Sequence, residues 1–339
     1  MVDIKKITDY FAKDIEKVNE IIINFASGKS PLIEEISSHL VNSGGKRIRP
    51  LLLMIASNLF NRNNSHSSLN DNVYYLASAI EMIHTATLLH DDVVDNSEVR
   101  RGKKTANSMW DNKSSILVGD YLFSIAFQLM VKTKNLEALA LLSKVSSEIA
   151  DGEVMQLENF AEINLTIEKY LEIINSKTAV LFSASTEVAG IINLGSRDEI
   201  DSLKIFGKNL GIIFQIIDDI LDYIGDENSI GKQLGDDFFE GKITLPIIIT
   251  IIEANKINNS QDIALIKEIF LKNLSSSNKD AKDFELILEL VKKYQSIKKS
   301  LDIANQHYQK AINSLTIFQD STAKEHLKQI LIYAFQRIS

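Results

Sequence analysis

Two acidic motifs of identical spacing stand out in this chain: Asp91-Asp92-Val93-Val94-Asp95 and Asp218-Asp219-Ile220-Leu221-Asp222. On a helix, positions i and i+4 lie about 40° apart, so the first and last aspartate of each motif share one face. Both motifs close strongly apolar helical stretches. Carboxylates there repel one another and meet the negative end of the helix dipole. A hard divalent cation removes the conflict. Mg²⁺ takes a few carboxylate oxygens together with water and phosphate oxygens. Zinc is a poor fit, because His84 and His90 are too few and too far apart.

A metal–diphosphate site also needs cations. Lys46, Arg47 and Arg49 follow the Gly44-Gly45 turn, where glycine lets backbone approach a phosphate. Arg100 and Arg101 follow the first motif, and Lys232 and Lys242 flank the glycine-rich stretch after the second. Lys177-Thr178 interrupts an apolar helix. His84 lies two turns before Asp91 on nearly the same face, and Gln215 lies three residues before Asp218.

The elements that hold these residues read as helices. The 339 residues contain 3 prolines and 14 glycines, where average usage gives roughly 17 and 24. So few breakers favour an all-α protein. Helical periodicity runs through 3–25, from Pro50 to about Phe60, and through Val73–Asp95, which is apolar nearly all round and so central. Further helices are expected at 114–133, 136–160, 166–193, 199–224, 244–256, 262–273, 281–313 and 320–337. The stretches 61–72, 96–113 and 225–242 read as loops. No strand alternation is evident, and residues 260–339 read as scaffold. The expected architecture is one domain over 1–339, a helical bundle.

Composition narrows the classes. The absence of cysteine removes disulfides and thiolate chemistry and fits a reducing compartment, hence a cytoplasmic protein. A net charge of −8 argues against a nucleic-acid partner. No unbroken apolar run reaches the ~18 residues of a membrane span, and the N-terminal residues, with Asp3, Asp9 and Asp14, do not read as a secretory signal.

Five ordered segments resemble the trans-isoprenyl diphosphate synthase family, the polyprenyl synthetases. They are GGKRIRP at 44–50, HTATLLHDDVVD at 84–95, RRG at 100–102, FQIIDDILD at 214–222 and GKQLGDDFFEGKITLP at 231–246. The resemblance implies a helical bundle around a deep central cavity, the isoprenoid synthase type I fold, in a homodimer. It implies that Asp91, Asp95 and Asp218, supported by Asp92, Asp219 and Asp222, hold three Mg²⁺ ions on an allylic diphosphate. Arg100, Lys177 and Lys232 would contact that diphosphate, with Thr178, Gln215 and Lys242 nearby. Lys46, Arg49, His84 and Arg101 would bind isopentenyl diphosphate. The catalytic set would be Asp91, Asp95, Asp218, Lys177 and Arg100. The implied reaction is ionisation, condensation and elimination, giving a long all-trans chain for a quinone side chain, released with peripheral membrane contact.

Product length would depend on small residues beneath the first motif. Thr87, Ala86 and Ala79 leave room for a growing chain, and Met130 and Leu142 are candidates for the floor. The resemblance is strongest to members making an octaprenyl product (~C40), with heptaprenyl, nonaprenyl and geranylgeranyl products as alternatives. A terpene cyclase would carry one aspartate-rich motif and a different second metal motif; a non-catalytic partner subunit would not need intact motifs. The sequence disfavours both.

Overall fold

Asn70 and Ser196 open the two helices that end in the acidic motifs. The Asn70 side chain accepts from the Asn72 amide. Ser196 forms a capping box with Glu199, satisfying amides that a helix start leaves orphaned. The structure is a computed structural model and describes residues 4–26, 30–42, 45–61, 69–100, 102–225, 234–275 and 280–338. In chain order it contains α1 (Ile4–Tyr10), α2 (Ala12–Ala26), α3 (Pro31–Asn42), α4 (Ile48–Asn58) and α5 (Asp71–Val94). A short antiparallel pair, β1 (Val99–Arg100) and β2 (Lys103–Lys104), leads to α6 (Ala106–Met109), α7 (Asn112–Lys132) and α8 (Leu136–Glu158). Next come α9 (Ile167–Ile174), a π-helical turn at Asn175–Ala179, α10 (Val180–Ile192) and α11 (Arg197–Ile224). The remainder is α12 (Asp236–Phe239), α13 (Leu245–Lys256), α14 (Ser260–Ser275), α15 (Ala281–Lys293), α16 (Ser296–Ser314) and α17 (Thr322–Phe335), with 3₁₀ turns at Leu315–Ile317 and Gln336–Ile338.

The protein is all-helical, as expected, with β1–β2 the only strand pairing among the described residues. Several boundaries differ from the sequence reading. The expected helix at 3–25 is broken at Phe11, whose side chain is buried. The stretch 281–313 divides at Gln295, which adopts a left-handed backbone (φ 54°) with no glycine to announce it. The loops at 96–113 and 225–242 each contain a short helix, and the first also holds the strand pair.

One connected core joins the helices. α5 packs on α7, α10 on α11 and on α4, and α11 on α16. From Val73 to Ile83, α5 is buried almost throughout, but the helix enclosed on all sides is α10, where every residue from Val180 to Ile191 is buried. Two glycines of α11 set the α10–α11 spacing. A Cβ at Gly207 would lie 2.4 Å from the Phe182 carbonyl oxygen, and one at Gly211 would lie 2.5 Å from the Ala179 Cα. Only glycine tolerates that approach without backbone movement. The close contact carries the acidic end of α11 up to the π-helical turn.

One described helix, α7, is long and apolar enough to cross a membrane by length and composition, with a mean hydropathy of 1.5. Counting unbroken apolar runs passes over it, because Ser, Gly and Asp interrupt it. Its Val118, Leu122, Ile125, Ala126 and Leu129 are buried, and the helix packs on α5 and α8.

Candidate active site

The first acidic motif sits at the end of α5, where Asn96 (φ 52°) turns the chain into β1. Asp92 points inward at 3% side-chain exposure and accepts from the Arg100 guanidinium, both contacts 2.7 Å long. Burial raises the Asp92 pKa, while Arg100 opposes the shift. Burial works against the charge of Arg100, yet Asp92 more than offsets this and its pKa is raised. Arg100, expected to contact the allylic diphosphate, is thus held here by Asp92 of the first motif. Asp91 is half-buried, and its carboxylate has no hydrogen-bond or ion-pair partner among the described residues.

Asp95 is bridged to the segment that follows the second motif. Lys242 Nζ lies 3.0 Å from Asp95 Oδ2 and 2.7 Å from Glu240 Oε2. Burial works against the Lys242 charge, but Asp237, Asp95 and Glu240 together raise its pKa well above the ordinary lysine value. The second motif anchors this segment as well. The Asp222 carbonyl accepts from the Gly235 amide at 2.9 Å, and its carboxylate accepts from the Asp237 amide at 3.2 Å.

The π-helical turn presents Lys177 and Thr178, and such turns recur at functional sites. Gly152 of α8 packs against it so closely that a Cβ would lie 2.5 Å from the Lys177 backbone nitrogen. Lys177 Nζ donates to Glu153 Oε2 (2.6 Å) and to Gln156 Oε1 (2.7 Å). Burial pushes the Glu153 carboxyl up to about 7; Lys177 opposes the shift, while Asp91 and then Asp95 add to it. Thr178 donates to Gln215 (2.9 Å), and Gln215 donates to Asp219 Oδ1 (2.8 Å). Tyr170 donates to the other Asp219 oxygen at 2.5 Å. Burial first, and Asp237 second, push the Asp219 carboxyl up to about 8.

Asp218 is half-exposed and pairs with Arg337 Nη2 at 2.6 Å. The Arg337 guanidinium lies over the Phe214 ring (4.4 Å), and Arg49 lies over the neighbouring Phe182 ring (4.3 Å). Those rings touch, with centroids 5.4 Å apart. Lys46 reaches Tyr333, as a hydrogen bond to its hydroxyl and 4.8 Å from its ring centre. His84 is half-buried on α5. Arg101 and Lys232 lie outside the described residues.

The sequence reading missed Glu153 and Gln156, Tyr170, Asp237, and Tyr333 and Arg337. The last two correct its view of residues 260–339 as scaffold. The signal for Glu153 and Gln156 was available: a Gly-Glu-x-x-Gln run places two polar groups one turn apart on an otherwise amphipathic helix. Of the chain-length candidates, Ala79, Ala86, Met130 and Leu142 are fully buried and Thr87 is half-buried. Phe127 on the Met130 face is exposed.

The donor set fits a hard divalent cation: oxygen ligands only, one unpartnered carboxylate, and neighbouring acids whose proton affinity is raised by burial and mutual repulsion. Among the described residues, no three such groups converge at ligand distance. Asp92, Asp95, Asp218, Asp219 and Asp222 are each drawn to a nitrogen or hydroxyl partner instead. Asp92 and Asp219 are buried, so as placed they orient Arg100 and Gln215; Asp92 lies off the face of Asp91 and Asp95, and Asp219 off the face of Asp218 and Asp222.

A family model described as Polyprenyl synthetase matches residues 30–291. Octaprenyl diphosphate synthase of Escherichia coli (strain K12) is 36% identical over 337 residues, covering 99% of both chains. The crystal structure of a decaprenyl diphosphate synthase from Rhodobacter capsulatus superposes with a TM-score of 0.89 at 39% identity, covering 99% of this chain and 100% of that one. A polyprenyl synthase from Caulobacter crescentus CB15, complexed with calcium and isoprenyl diphosphate, gives a TM-score of 0.90 at 36% identity over 99% of this chain and 98% of the other.

Proposed function

This chain belongs to the polyprenyl synthetase family and is a divalent-metal-dependent trans-prenyltransferase acting on isopentenyl and allylic diphosphates; from that premise we propose that it extends farnesyl diphosphate to an octaprenyl chain (~C40). Heptaprenyl, nonaprenyl and geranylgeranyl lengths are the alternatives. The octaprenyl length is carried by the similarity to octaprenyl diphosphate synthases, and the Lys242–Asp95 ion pair supports a single shared site, because it ties the segment after one acidic motif to the carboxylate of the other.

In this reading Asp91, Asp95 and Asp218 would hold Mg²⁺, three ions in all, with Asp92, Asp219 and Asp222 in support. Bound metal supplies charge neutralisation for a departing diphosphate. Lys177, held by Glu153 and Gln156, and Arg100, held by Asp92, keep fixed positive charge where the allylic diphosphate separates. Thr178, Gln215, Lys232 and Lys242 complete that subsite. Lys46, Arg49, His84 and Arg101 hold isopentenyl diphosphate with its double bond toward the allylic cation. After the bond forms, a proton leaves the new chain. No side chain in the motifs is an evident base, so the released diphosphate accepts it. The apolar walls of α5 exclude water from the cation.

The chain would then pass Thr87, Ala86 and Ala79 toward Met130 and Leu142. Exposed apolar residues on α7, namely Ile116, Leu117, Phe127 and Val131, support a homodimer in which they meet their counterparts. The enzyme would work as one domain in the cytoplasm, touch the membrane peripherally to release product, and supply a quinone side chain. The test is purified protein with Mg²⁺, farnesyl diphosphate and labelled isopentenyl diphosphate, with product length read by mass. A polyprenyl diphosphate supports the reading; a cyclic hydrocarbon, or no condensation by folded protein, overturns it.

A further inference from the structure

We propose that Arg47 and Glu81 form a positioning pair that sets the geometry of the isopentenyl diphosphate subsite. The inference rests on the assignment of Lys46 and Arg49 to that subsite. These two residues flank Arg47, but the three side chains diverge. Lys46 reaches Tyr333 and Arg49 lies over Phe182. Arg47 turns instead toward α2 and α5, donating to Glu81 Oε1 at 2.8 Å and to Asn19 Oδ1 at 3.2 Å. Neither partner belongs to an acidic motif.

Two features make this more than a packed salt bridge. Arg47 has φ 47° and ψ 40°, a left-handed conformation that L side chains rarely adopt, at the residue just before α4. That turn fixes where Lys46 points relative to Arg49, and something must hold it. The guanidinium clamp on Glu81 and Asn19 does so. Side-chain exposures of 9% for Arg47 and 7% for Glu81 mean that solvent does not replace a lost partner. The pair lines a small pocket with Ile22, Met82 and Leu122, an apolar setting in which the attraction is strong and a lone charge costly. Glu81 also lies three residues before His84 and ten before Asp91 on α5. The pair therefore references the phosphate-binding turn directly to the helix that carries the first acidic motif. Arg47 and Glu81 act through Lys46 and Arg49, without touching substrate.

The test is steady-state kinetics on Glu81→Gln and on the double variant Arg47→Met/Glu81→Leu, with thermal unfolding alongside. Glu81→Gln is expected to raise KM for isopentenyl diphosphate about tenfold, while KM for the allylic substrate stays within about twofold. The double variant, which removes both charges, should recover most of the lost thermal stability yet keep the raised isopentenyl KM. A merely structural role predicts the opposite pattern: both KM values moving together and both restored with stability. That result, or an unchanged isopentenyl KM in Glu81→Gln, overturns the proposal. Lys46→Ala tests the premise separately. A raised isopentenyl KM there beside an unchanged one in Glu81→Gln defeats the pair alone. An unchanged KM in Lys46→Ala defeats the subsite assignment and the pair with it.

Discussion

Replacing Glu153 by glutamine should make the metal-free protein more stable at high pH and leave it unchanged at low pH. Glu153 has 27% side-chain exposure and accepts from Lys177 at 2.6 Å, yet burial, with Asp91 and Asp95, pushes its carboxyl from the ordinary 4.5 up to about 7. The folded state therefore binds the proton more tightly than the unfolded chain between those values. The stability this contributes is fully present below about pH 4.5 and is lost as pH rises through about 7. At 1.36 kcal/mol per pH unit the difference is roughly 3 kcal/mol, and partial exposure reduces it to about 2. An unfolding entropy near 2.1 cal/mol/K per residue gives about 0.7 kcal/mol/K for this chain, so the effect is about 3 °C in Tm. The assay is thermal unfolding followed by circular dichroism in EDTA from pH 5 to 8. Tm of Glu153→Gln minus Tm of the native sequence should rise from under about 1 °C at pH 5 to about 3 °C at pH 8. A flat difference, or one that falls with pH, refutes the reasoning.

Three further outcomes are expected. Lys242→Met leaves Asp95 and Glu240 without their cation, which should cost about 3 kcal/mol and lower Tm by about 4 °C in scanning calorimetry. Arg337→Ala frees Asp218 from its 2.6 Å ion pair; stability should fall by only about 1 kcal/mol, because the aspartate is half-exposed. Mg²⁺ affinity measured by titration calorimetry should rise in that variant, and unchanged or weaker binding contradicts the competition between Arg337 and metal. Ala86→Tyr, at a fully buried position on α5, should give shorter products by mass, and unchanged length contradicts a chain path along that helix.

The acidic motifs were legible because their geometry is local: i,i+4 spacing fixes a shared face whatever surrounds the helix. The all-helical content was legible from the scarcity of breakers. What stayed hidden depends on tertiary packing. Tyr170 reaches Asp219 across 49 positions, and Lys46 reaches Tyr333 across 287. Nothing near Arg337 in sequence marks it as Asp218's partner. The π-helical turn at Lys177 was invisible because its sequence suits an α-helix equally well; packing on Gly152 and Gly211 accompanies it there. The paired roles of Arg100 and Lys177 were half legible. Their charge pointed to a site, but the carboxylates that orient them, Asp92 and Glu153, were read as a metal ligand and not read at all.

In the proposed reaction the two acidic motifs act on one substrate in one space. The most direct test is the single-turnover condensation rate of Asp91→Asn, Asp218→Asn and the double variant at saturating Mg²⁺. Groups that act as a unit are strongly non-additive, so each single variant should lose about 10³-fold or more and the double little beyond the worse single. Losses that multiply in the double variant, or a single variant that condenses at the native rate, would contradict it.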